Sequence, residues 1–197
     1  MMVMCVLAAG ANAAAADLSL REFNVYLGRG ESPMSWHGHS VFRSIQFEWI
    51  ARSSRVERRI AHTTVGASLS YHDIRQARSW FGYSYGDPDD SVRGYSSFFF
   101  VRHHWRDNAR HVQPFVELGT GPMWSNRRVP AATSRFNMDS QLGVGAMLFR
   151  ASRVPMLIGY RLSHISNGGT ARRNPGLAVH SLMLGVRLID FRRGATP

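Results

Sequence analysis

From Asp17 onward, apolar residues recur at every second position along most of the chain. That is the period of a strand with one apolar side, not the 3.6-residue period of a helix. Ile45, Phe47 and Trp49 alternate with Ser44, Gln46 and Glu48, and Val65, Ala67, Leu69 and Tyr71 alternate with Gly66, Ser68, Ser70 and His72. Leu142, Val144, Ala146 and Leu148 alternate with Gly143, Gly145, Met147 and Phe149. Near the C-terminus Leu182, Leu184, Val186 and Leu188 alternate with Ser181, Met183, Gly185 and Arg187. Such runs predict eight strands, over residues 18–27, 39–52, 56–73, 95–104, 112–121, 138–150, 155–166 and 177–191. In the fourth, Phe98, Phe99, Phe100 and Val101 stand in a row, so the pattern leaves its register open.

The connections between these strands alternate between long and short, as they do in an up-and-down barrel with loops on one rim and turns on the other. A soluble lipocalin-like barrel has eight alternating strands too, so the choice rests on which face is apolar. Here the weaker face is Gly, Ser, Gln, Glu and Arg. An eight-stranded barrel has only a narrow interior, which small and polar side chains fill while apolar ones face lipid. The expected fold class is therefore all-β: an eight-stranded antiparallel up-and-down transmembrane β-barrel over residues 17–197. Both termini are then periplasmic and the long loops lie on the outer side. No mature segment approaches the roughly 18 to 20 continuous apolar residues of a spanning helix.

Composition adds three points. Residues 1–16, MMVMCVLAAGANAAAA, read as the apolar and small-residue parts of a secretory signal with no positive n-region, so the start is expected to be truncated or misassigned. Cys5 lies inside it, and its removal leaves a mature chain without thiol chemistry or disulfides. All 24 basic residues are arginine, against 13 acidic ones, for a net charge of +11. The arginines are scattered among apolar and glycine residues rather than packed into a basic helix or tail, which argues against nucleic acid and for an anionic membrane surface.

Candidate chemistry is concentrated in the stretch MLIGYRLSHISNGGTARRNPG, residues 156–176. Met156, Ile158, Tyr160, Leu162, His164 and Ser166 share one parity, so an imidazole and a hydroxyl two residues apart project from the apolar side of the seventh strand. That spacing suits a general base and a serine nucleophile, but by itself it is the commoner mark of a rim histidine bonded to a loop. The string H-I-S-N-G-G, followed after four residues by N-P-G, resembles the PagL family of outer-membrane lipid A 3-O-deacylases. The resemblance implies an outer-membrane barrel that acts on lipid A within lipopolysaccharide and removes the ester-linked acyl chain at its 3-position, with no cofactor and no metal. It implies Ser166 as nucleophile and His164 as base. Asn174 would lend its side-chain amide to an oxyanion hole, with backbone N–H groups after Ser166, in the segment of Asn167 and Gly168, nearby.

One position departs from the family pattern. The orienting acid is expected two residues after the glycine of N-P-G, where this chain has Ala178, and no Asp or Glu occurs between Asp139 and Asp190. His180, two residues on, is the substitute orienting partner that the sequence offers. The alternative is a barrel that is catalytically silent or nearly so and keeps the loop for structure or interaction. Arg172 and Arg173 are either a solvated turn or a clamp on lipid A phosphate. His37 with His39 and His103 with His104 read as rim histidines rather than metal ligands, and Glu117 as an inward carboxylate paired with arginine. Asp87, Asp89 and Asp90 read as a loop with a weaker claim to a divalent ion. Trp36, Trp49, Trp80, Trp105 and Trp124 fall near strand ends, as interface aromatics do. Oligomeric state, a homodimer included, is left open.

Overall fold

The computed structural model describes residues 17–32, 40–76, 79–80, 83–84, 91–105, 111–131, 133–174 and 176–192. The signal segment at 1–16, Trp36, His37, His39 and the aspartates at 87, 89 and 90 lie outside the described residues, as does the side chain of Trp80.

The chain runs β1 (Leu18–Ser32), β2 (Ser40–Ser53), α1 (Ser54–Arg59), β3 (Thr63–Arg75), β4 (Ser79–Trp80), β5 (Tyr83–Ser84), β6 (Ser91–His104), β7 (Val112–Ser125), β8 (Phe136–Leu148), β9 (Met156–Ser166) and β10 (Leu177–Asp190). Eight of these close into one barrel in the order β1-β10-β9-β8-β7-β6-β3-β2, and every pair is antiparallel. Strands β4 and β5 form a separate small hairpin within the long β3–β6 connection.

The alternation read from the sequence sorts residues between wall and interior. Leu27, Leu118 and Leu182 are 62%, 63% and 65% exposed, whereas Glu48, Asn24 and Arg102 are at most 1% exposed. The apolar side therefore faces outward, as an up-and-down barrel immersed in lipid requires. In β6, Phe98 and Phe100 point inward while Phe99 and Val101 face out, which sets the register that the pattern left open.

The interior is not only small and polar, however. Phe42, Ile74, Val92, Met123, Ile165, Leu177 and Val179 pack together inside the outer half, and Tyr26, Phe115, Met147, Leu157 and Met183 form a second cluster. A barrel of this size has no lumen to hydrate, so each inward position must be filled. Between the clusters lies a charged lattice. Arg102 donates to Glu117 (Nε to Oε2, 3.0 Å) and to Glu48 (Nη2 to Oε2, 2.9 Å), and Arg161 donates to Glu117 (Nε to Oε1, 2.6 Å) and to Gln46. Asn24 and the Tyr26 hydroxyl complete Glu48 at Oε1. Glu117 is thus inward and arginine-paired, and Gly143 makes room for it, since a Cβ there would stand 2.7 Å from Glu117 Cγ.

Several boundaries differ from the sequence reading. The third strand, expected from residue 56, begins at Thr63, and Ser54–Arg59 form the short helix α1. Several strands also run further outward than expected: β1 to Ser32, β7 to Ser125, and β6 from Ser91. Their outer ends are rich in Gly, Arg and Ser, and continue the hydrogen-bonded ladder above the apolar band, where alternation fades.

Candidate active site

Strand β9 carries the candidate pair to the outer end of the barrel, where it meets the β9–β10 loop. Leu162, Tyr160 and Ile158 are exposed on its outward face, and His164 continues that series with Ser166 half-buried above it. The inward neighbours Ser163 and Ile165 are buried. The strand period alone thus puts an imidazole and a hydroxyl side by side at the end of an apolar outward face of β9.

The loop that follows is tied down from within. Asn167, 2% exposed, donates Nδ2 to the Arg173 carbonyl at 2.8 Å and accepts the Gly169 N–H at Oδ1 at 2.9 Å. Its carbonyl accepts the Thr170 hydroxyl at 2.7 Å. Its own N–H donates to Asn174 Oδ1 at 3.0 Å. The amide of Asn174 must therefore present its oxygen to the backbone, which leaves the Nδ2 donors to face away from that bond. Gly168 and Gly169 take φ of +62° and +82°, a region that disfavours side chains, so the segment after Ser166 can turn back sharply. Gly176 does two things at once: its φ is +68°, and a Cβ there would lie 2.8 Å from His164 Cε1. The glycine of N-P-G is the surface against which the His164 ring rests.

Ala178 pairs directly with His164 across β9–β10. A carboxylate at this position could reach the ring, and the side chain there is a methyl group. His180, opposite Leu162, has its Nδ1 hydrogen-bonded to the Tyr160 hydroxyl, with ring centroids 6.0 Å apart. Asp139 on β8 is buried and points inward, opposite Ile165. Arg172 and Arg173 are exposed on the loop.

On the β8 side the sequence reading missed two residues. Ser140 pairs with His164, and Thr120 pairs with Ser140, so Thr120, Ser140, His164 and Ala178 form one outward row across four strands. The signal was present in the pattern: Thr120 shares the parity of Leu118, and Ser140 that of Leu142, so each is a hydroxyl on an apolar face.

His103 and His104 contact hydroxyls on the neighbouring strand β3. His103 meets Thr63 Oγ1 at 3.1 Å and His104 meets Thr64 Oγ1 at 3.5 Å. Among the described residues no group of three or more His, Cys, Asp or Glu side chains could hold a metal ion. Trp105 and Trp124, 58% and 56% exposed, mark opposite ends of the barrel wall.

Comparison with known proteins adds three findings. A family model described as Lipid A 3-O-deacylase (PagL) matches residues 45–187. The fold is similar to that of the outer membrane enzyme PagL (TM-score 0.56, 15% identity, 82% of this chain and 97% of the other) and of Neisserial surface protein A (TM-score 0.59, 13% identity, 88% and 99%). No curated protein sequence matches the chain.

Proposed function

The chain belongs to the lipid A 3-O-deacylase (PagL) family of outer-membrane barrels, and from that premise we propose that it removes the 3-O-linked hydroxyacyl chain of lipid A by a Ser166 and His164 mechanism. The observation that carries the reading is the shared outward face of His164 and Ser166, on a lipid-facing wall and beside a loop fastened by Asn167. A polar pair in that place is accessible to a substrate that lies in the membrane with its tails along the barrel.

In this mechanism His164 takes the proton of Ser166 Oγ as the oxygen attacks the ester carbonyl. Negative charge then develops on the carbonyl oxygen. The Asn174 Nδ2 and the Gly168 N–H are the donors that remain to meet it, because the Asn167 N–H is already given to Asn174 and the Gly169 N–H to Asn167. Collapse breaks the bond to the sugar oxygen, which receives the proton from His164 and leaves as the 3-hydroxyl. The acyl group stays on Ser166. Water, deprotonated by His164, then releases a 3-hydroxy fatty acid and restores the serine. Arg172 and Arg173, exposed on the same loop, would meet a lipid A phosphate at the membrane's outer surface.

Ala178 favours a second reading, in which the barrel keeps the loop without turnover. Purified protein in detergent micelles with lipid A separates the two, by gas chromatography of released 3-hydroxy fatty acid. The parent should release it, and Ser166→Ala should lower the rate by at least about a thousandfold while the barrel stays folded. Full activity in that variant would mean that the nucleophile is elsewhere.

A further inference from the structure

The row Thr120, Ser140, His164 contains more polarity than a lipid-facing wall tolerates without reason, since hydroxyls in contact with acyl chains lose hydrogen bonds to water. The hydrogen bonds of this row have a fixed direction. Thr120 Oγ1 donates its single proton to the Asp139 carbonyl at 3.1 Å. The 3.0 Å contact between Thr120 Oγ1 and Ser140 Oγ must then take its proton from Ser140. Ser140 is left with lone pairs, and the side chain directly across from it on β9 is His164.

Resting on the reading that His164 is the catalytic base, we propose that Ser140, backed by Thr120, is the positioning residue that takes the place of the missing acid. It orients His164 from β8 rather than from β10. The chain runs from His164 Nδ1–H to Ser140 Oγ, from Ser140 Oγ–H to Thr120 Oγ1, and from Thr120 Oγ1–H to the carbonyl of Asp139. No proton is transferred along it; each bond keeps its own. Cβ atoms directly opposite across an antiparallel pair lie about 4.5–5.5 Å apart, which puts a short Ser140 side chain within reach of the ring nitrogen next to Cγ, Nδ1, rather than of Nε2. The ring tip leans toward β10: a Cβ on Gly176, at the level of Ser166, would stand 2.8 Å from Cε1, 3.3 Å from Nε2 and 3.8 Å from Nδ1, so the ring must turn toward β8 to meet Ser140. Among the described residues neither the His164 ring nor the Ser166 hydroxyl makes a side-chain hydrogen bond, and the proposal requires a turn of the ring that closes both contacts as substrate binds. His180 is held on its own face of β10 by the bond between its Nδ1 and Tyr160.

A neutral hydroxyl fixes the tautomer as a carboxylate does, but stabilises the imidazolium less. Removing it should still cost a charge-assisted hydrogen bond, about ten- to hundredfold in rate. The test is steady-state deacylation of lipid A by the parent, Ser140→Ala, Ser140→Thr and Thr120→Val, with the His164 tautomer followed by nitrogen-15 NMR and assigned by its loss in His164→Gln. The expected result is a ten- to hundredfold lower kcat at unchanged KM in Ser140→Ala, a smaller loss in Thr120→Val and recovery in Ser140→Thr. The two losing variants should also shift the ring away from its Nδ1–H tautomer. Unchanged kcat and tautomer in Ser140→Ala would overturn the proposal, as would a fall in kcat that Ser140→Thr does not restore. A parent without deacylase activity whose tautomer still depends on Ser140 would refute the proposed function and uphold the contact.

Discussion

Across the β9–β10 pairing from His164 stands a methyl group, Ala178, that can neither accept a proton nor carry charge. Ala178→Glu places a carboxylate at that point, on a half-buried face near the outer rim, where an acid costs about 0 to 1 kcal/mol. Its charge would be little screened beside the imidazolium that forms as Ser166 attacks. Orienting acids in serine triads are worth up to roughly 10⁴ in turnover, so the initial rate should rise by one or more orders of magnitude in matched micelles. A folded variant no faster than the parent would show that charge at this position does not limit the reaction. Asn167 and Gly176 show how one residue can define a site without entering the chemistry. The first fastens the loop with its side chain, and the second leaves the space that the His164 ring fills.

At the scale of single elements, α1 is where sequence reading and structure part. The third strand was expected to begin at Val56, inside the stretch SRVERR, yet Arg55, Glu57, Arg58 and Arg59 give that stretch no apolar face. What makes it helical is not local. Asp17, at the start of the described chain, accepts the Ser53 hydroxyl at 2.7 Å, the Arg55 N–H at 3.0 Å and the Ser54 hydroxyl, while Ser53 Oγ caps Val56 N–H. The Ser54 hydroxyl, then the Ser53 hydroxyl and the Arg55 N–H, hold the Asp17 carboxyl down to about 2. A depressed carboxylate stabilises the fold above its ordinary value near pH 4 and loses that contribution as pH falls through about 2. The Asp17 carboxyl carbon should therefore titrate near pH 2, and a midpoint near 4 would contradict the cap. By contrast β2, β3, β8 and β10 were legible throughout their apolar stretches, because each has one face that lipid selects. The Phe98–Val101 run was not, since both faces are apolar and only pairing with β3 and β7 decides which points inward. The motif on β9 was equally plain in sequence. The opposition of Ser140 to His164 was not, because strand register depends on residues far away in the chain.

For the whole molecule, closure of the wall forces charge into the interior, where two glutamates and two arginines neutralise one another. Glu117→Ala leaves Arg102 and Arg161 sharing Glu48 alone, with no solvent to hydrate the excess charge. The cost should be about 3–5 kcal/mol, seen as a lower denaturant midpoint for the folded barrel. The exposed Arg52–Glu57 pair is the control, and Glu57→Ala should cost less than about 1 kcal/mol. Equal effects would mean that the interior lattice is not what braces the barrel. A braced barrel is what the proposed chemistry needs, since β8, β9 and β10 must hold an outward row in register while lipid moves past it. The central claim is that this row and its loop deacylate lipid A, and its most direct measurement is mass spectrometry of lipid A from cells producing the parent or Ser166→Ala. Loss of one hydroxyacyl group with the parent, and intact lipid A with the variant at equal outer-membrane abundance, is the predicted result. Lipid A of unchanged mass in both would contradict it.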